Sequence, residues 1–170
     1  MHTEIEKLFA AFRSTVAIGA DMELRLRMLA DKTPAIERFS TAKDMGTVEK
    51  AIIDHFGHQV TGSERTILRV ARQLRNKLMH GDFTSAVAKL EELGYEKQPP
   101  AIKVLKVPEK LTVAGLLDAL AGAQPFAVDD APNSGHLVAW HLQLCADGSL
   151  VKAAEVFRKG VAIIDRLAMA

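Results

Sequence analysis

One cysteine, one tryptophan, one tyrosine and no apolar run of membrane-spanning length set the first limits on this chain. With Cys145 alone, an internal disulfide framework is excluded, which suits a reducing cytoplasm. Aromatics are 5% of the residues against 48% hydrophobic, so the core must be built from aliphatic side chains. No stretch approaches the roughly 20 apolar residues that a transmembrane helix needs. Glu4 and Glu6 stand where a secretory leader would be basic, and we expect a cytoplasmic protein that does not enter the membrane. A dominant charge is lacking too. The net charge is +1, so any attraction to nucleic acid has to come from a local patch. The chain contains no phosphate-cradling glycine loop, nucleophile elbow or HExxH. His136, His141 and Cys145 fall short of the four donors of a closed zinc site, so we expect no metal and no cofactor.

What remains is helical pattern. Many Ala, Leu, Glu and Lys residues favour a mainly α fold, and 170 residues fit a single domain, 1–170, with a substantial core. Thr3 and Glu6 have capping-box spacing before Ile5, Leu8, Phe9, Phe12 and Val16. After a possible bend at Gly19, Met22, Leu26 and Leu29 continue the pattern until Thr33-Pro34 stops it. Residues 34 to 46 read as a loop. A short helix from Thr47 to Phe56 buries Val48, Ile52, Ile53 and Phe56 and ends at Gly57. Asp82 is a candidate cap for a helix carrying Val87, Leu90 and Leu93 that ends at Gly94. Leu150, Ala154, Phe157, Val161, Ile164 and Ala168 stripe a last helix.

Residues 96–148 form a less regular insertion. Pro99-Pro100 breaks the chain, residues 102–107 suit an extended piece, Thr112 caps a helix through Leu120, and 123–135 read as a loop. Leu137 to Cys145, which includes Trp140, fits a strand or a buried helix equally.

The stretch Ser63 to Phe83, SERTILRVARQLRNKLMHGDF, is the most specific part of the chain. Thr61 and Glu64 offer a capping box in front of it. At about 100° per residue, Ile67, Val70, Ala71, Leu74 and Leu78 gather on a core face. Arg65, Arg69, Arg72, Asn76 and His80 line the other side, Arg75 sits on the border, and Gly81 follows as a helix terminator. The three arginines Arg65, Arg69 and Arg72 are the candidate RNA-binding patch, with no acidic residue after Glu64 in the helix.

Arg75-Asn76-Lys77-Leu78-Met79-His80 resembles the motif of HEPN domains, in which an arginine, a polar residue and a histidine end a helix. The resemblance implies a HEPN-like helical bundle with the irregular 96–148 insertion before its last helix. It also implies a metal-independent ribonuclease working as a homodimer with two motifs facing each other, in the role of a toxin of a toxin and antitoxin pair or a phage-defence effector. Arg75, Asn76 and His80 are the matching positions and the candidate catalytic residues.

The chemistry suits those side chains. RNA carries its own nucleophile, so an imidazole that takes the 2′-OH proton, beside a cation on the phosphate, drives transesterification without metal. Arg75 supplies the fork that matches phosphate oxygens, and Asn76, one turn before His80, orients the base. The rival expectation is a non-catalytic module in which arginines make ordinary ion pairs, His80 completes a helix end, and the bundle dimerises or holds a partner such as an antitoxin or a nucleotidyltransferase-like protein.

Overall fold

The computed structural model of the chain describes residues 2–80, 83–96 and 148–170, and the side chains within them except at 2–9, 83 and 84. Five helices and one 3-10 turn make up the described residues, with no strand among them: α1 (His2–Asp31), the turn Glu37–Phe39, α2 (Met45–His55), α3 (Gly62–Met79), α4 (Phe83–Glu92) and α5 (Ser149–Ala168). The mainly α class expected from composition is therefore what the chain adopts. The Thr3 and Glu6 capping box, Ile5, Leu8, Phe9, Gly81, Asp82 and nearly all of the 96–148 insertion lie outside the described residues or side chains.

Local chemistry explains where the helices begin and end. Thr61 and Glu64 form the expected capping box, the Thr61 hydroxyl accepting from the Glu64 N–H at 3.2 Å while the Thr61 N–H donates to the Glu64 carboxylate at 2.9 Å. α1 stops at Asp31, just before Thr33-Pro34, and Thr33 donates its hydroxyl to the Leu29 carbonyl at 2.6 Å. Helix α2 starts two residues earlier than the pattern predicts. Asp44 caps it by accepting from the Gly46 and Thr47 N–H groups at 3.1 and 3.2 Å. The loop before it is pinned to α1, because Arg27 donates to the carbonyls of Ser40 and Ala42 at 2.7 and 2.8 Å.

The core joins Met22 and Leu26 of α1, Val48 and Ile52 of α2, Leu68 and Leu74 of α3, and Phe157 and Ile164 of α5, all essentially without exposure. Helix α3 packs against each of the other four helices, and α1 against α5 makes the most extensive contact. Gly19 does not interrupt α1, which runs as one helix; it lets neighbours approach. A Cβ at Gly19 would stand 3.1 Å from the Phe157 ring, and one at Gly160 would stand 2.6 Å from the Met22 sulfur. The buried face of α5 accordingly turns through Gly160, Ile163 and Leu167, leaving Val161 half-buried and Ala168 exposed.

On α3, Leu68 is fully buried, whereas Ile67, placed on the core face by periodicity, is half-buried against it. Because the cost of truncation follows how completely a side chain is enclosed, Leu68→Ala is expected to lower unfolding stability by about 2–5 kcal/mol in urea titration. Ile67→Ala should cost clearly less. Equal losses would show that the burial pattern of α3 is wrong.

Candidate active site

The polar side of α3 is a ladder of arginines, each reaching a different part of the bundle. Arg65 donates to the carbonyls of Gly57 and Val60 at 2.7 and 3.4 Å, satisfying backbone acceptors beyond the end of α2. Arg69 lies 3.6 Å from Glu92 of α4, and both side chains are exposed. Arg72 meets Glu49 of α2 at 2.5 Å, where the carboxylate is buried and the guanidinium half-buried. Arg75 faces Glu23 of α1 at 3.4 Å.

The motif residues share the C-terminal turn and a half. Arg75 donates to the Asn76 side-chain oxygen at 3.4 Å, and both residues are half-buried. His80 is the C-cap residue; its N–H returns to the Asn76 carbonyl at 3.0 Å, and the residue is exposed beside the half-exposed Met79. The fold thus keeps Arg75 and Asn76 in contact and sets His80 at the helix end, one turn beyond Asn76. His136, His141 and Cys145 lie outside the described residues, among which no three His, Cys, Asp or Glu side chains come together as a metal site would require.

Two acidic residues that the pattern did not single out, Glu23 and Glu49, are buried against this arginine ladder. Burial raises the Glu23 carboxyl above its ordinary 4.5, opposed by the charges of Arg75, then Arg27 and Arg72. Glu49 is raised for the same reason, opposed by its hydrogen bond to Arg72 and by the charges of Arg72 and Arg69. A glutamate in the interior stripe of a helix is the signal available in the sequence, since such a carboxylate needs a cationic partner from another element. What the arrangement offers chemically is one guanidinium held against a carboxylate and an amide, with an imidazole exposed at the adjoining helix end. No family model, no curated protein and no solved structure matches this chain.

The Arg72–Glu49 and Arg69–Glu92 pairs should respond differently to mutation. Arg72→Ala leaves the buried Glu49 without its cation, and its cost is expected near the lower end of about 3–5 kcal/mol because Arg72 itself reaches solvent. Arg69→Ala breaks an exposed pair and should leave the melting temperature essentially where it was.

The pH dependence has a definite sign. A carboxyl whose folded pKa is raised binds its proton more tightly in the folded state, so its contribution to stability is complete below 4.5 and is lost as pH rises through the folded value. Glu49→Gln lacks that loss. Its melting temperature relative to wild type should therefore move in the variant's favour between about pH 4 and pH 7, measured by circular dichroism; a move the other way would mean that the Arg72 pair outweighs burial.

Proposed function

We propose that the protein is a metal-independent endoribonuclease of HEPN type that cleaves RNA by attack of the substrate's own 2′-OH. The observation that carries this reading is the clustering at the end of α3: Arg75 hydrogen-bonded to Asn76, on a half-buried face that runs into the exposed cap residue His80. In the proposed reaction His80 takes the 2′-OH proton while Arg75 balances charge gathering on the phosphate oxygens, giving a 2′,3′-cyclic phosphate and a 5′-hydroxyl. Asn76 orients both neighbours. The leaving 5′-oxygen needs a proton, and the proposal assigns that acid to the motif of a second copy in a symmetric homodimer. The half-exposed Met79 next to His80 offers apolar surface for such a contact. A role as toxin or phage-defence effector, with an antitoxin as partner, belongs to the same proposal.

A second reading is favoured by one specific observation. Arg65, Arg69, Arg72 and Arg75 each already engage a carbonyl or carboxylate of the protein, as they would in a non-catalytic module that dimerises or holds a nucleotidyltransferase-like partner. The RNA reading requires Arg65, Arg69 and Arg72 to contribute phosphate contacts from their solvent-facing edges. Arg69, the most exposed of the ion-paired three, discriminates best: its removal should weaken binding of many RNA sequences alike and flatten the salt dependence. Unchanged RNA affinity would support the partner-binding module.

His80→Ala and Arg75→Ala are each expected to slow cleavage by about 10²- to 10⁴-fold. The double variant should be little worse than either, since groups acting as one unit do not add. Cleavage should persist in excess EDTA, and end-group analysis should find the cyclic phosphate. Loss of activity with chelator, or cleavage of a 2′-deoxy substrate, would exclude this mechanism.

A further inference from the structure

Arg75 lies in a slot on α1 formed by two residues one helical turn apart. Gly19 is its floor: a Cβ there would stand 3.0 Å from Arg75 Cγ, so any side chain at this position crowds the arginine stem. Glu23 closes the slot, with Oε2 3.4 Å from Arg75 Nη2. Residues spaced i, i+4 share a helix face, which is why one strip of α1 holds both the stem and the head of the same side chain. Nη1 is engaged by Asn76.

Stability accounts poorly for this arrangement. Glu23 is only 9% exposed, yet its Oε1 and Arg75 Nε are buried with no hydrogen-bond partner among the described residues. A buried ion pair with unmet polar atoms gains little over an apolar pair of similar volume. What it does secure is orientation. One edge of the guanidinium is fixed by Glu23 and another by Asn76, while the side chain keeps 26% of its surface open.

We propose that Glu23 and Gly19 are positioning residues for Arg75, holding its fork in the one orientation that receives the scissile phosphodiester. Neither touches the substrate; both act through the guanidinium. This rests on the ribonuclease reading above, and a displacement of about 1 Å at a charge-stabilising group is enough to cost on the order of 10²-fold in rate.

The test is steady-state cleavage of an oligoribonucleotide by wild type, Glu23→Gln, Glu23→Asp, Gly19→Ala, Arg75→Ala and the Glu23→Gln/Arg75→Ala double variant, with melting temperatures measured alongside. Glu23→Gln should lower kcat by about 10- to 100-fold with KM unchanged, and Glu23→Asp should recover part of the loss. Gly19→Ala, which keeps the carboxylate but crowds the stem and the Phe157 ring, should show the same kcat defect with KM unchanged, together with a lower melting temperature. In the Arg75→Ala background, Glu23→Gln should have no further effect. A wild-type kcat in Glu23→Gln and Gly19→Ala, or an equal slowing by Glu23→Gln with and without Arg75, overturns the positioning role while leaving the ribonuclease reading intact. A wild-type protein that does not cleave RNA overturns the ribonuclease reading and this role with it.

Discussion

The bundle depends on the close approach of α1 and α5, which two glycines make possible. Phe157 of α5 lies over Gly19 of α1, and Met22 of α1 lies over Gly160 of α5, so each helix supplies one large side chain and one gap three residues apart. Both large side chains are fully buried. This interlock joins the first and last described helices, whose contact closes the chain over its greatest sequence separation. Gly19 also meets the stem of Arg75, so the same small residue sets the distance from α1 to α3. A bulkier residue at either glycine would press on a core packed to crystal-like density, where added volume has nowhere to go.

Onto this seam α3 is keyed by charge. Arg75 fixes it to α1, Arg72 to α2, Arg69 to α4, and Arg65 to the carbonyls that follow α2. In the Arg75 and Arg72 pairs the carboxylates are buried while the arginines are half-buried, and burial pushes both carboxyls upward even beside their arginines. Desolvation therefore opposes the attraction in both pairs, which limits what they add to net stability. Leu68, Leu74 and Leu78 resist rotation of the helix, because turning them out of the core forfeits their burial. Mismatching Glu23 or Glu49 by one turn would add a cost of its own, since it leaves a buried carboxyl without its cation.

The parts of this design that were legible in the sequence are those written locally. The Thr61 and Glu64 capping box, the stop before Thr33-Pro34 and the turn at Gly94, whose φ is +82°, each follow from residues within a few positions of one another. The grouping of Arg75, Asn76 and His80 at the end of α3 was local in the same sense. Glu23 and Glu49 escaped notice because their partners lie on another helix and no periodicity announces them. Gly19 looked like a bend for a related reason: along one helix a glycine marks weakness, and only the neighbour it admits reveals a contact. Ile67 and Leu68 show the remaining gap, since a helix wedged among four others buries a wider arc than a stripe pattern assigns.

The two halves of the candidate site are held to very different degrees, and this bears on how it would work. Arg75 is gripped by Gly19, Glu23 and Asn76, whereas His80 stands exposed on the cap of its helix. Electrostatic stabilisation gains most from a charge whose orientation is fixed beforehand, because nothing then reorganises as the transition state forms. A general base tolerates more freedom, since it need only reach one proton in the bound complex. Of the three buried side-chain polar atoms without a partner among the described residues, Glu23 Oε1, Gln73 Oε1 and Arg75 Nε, two lie at the group that would gain from rigidity under the proposed mechanism. Proteins depart from local stability rules most readily where function demands it, and that departure at Arg75 sets it apart from Arg65, Arg69 and Arg72, none of which has a buried unmatched atom.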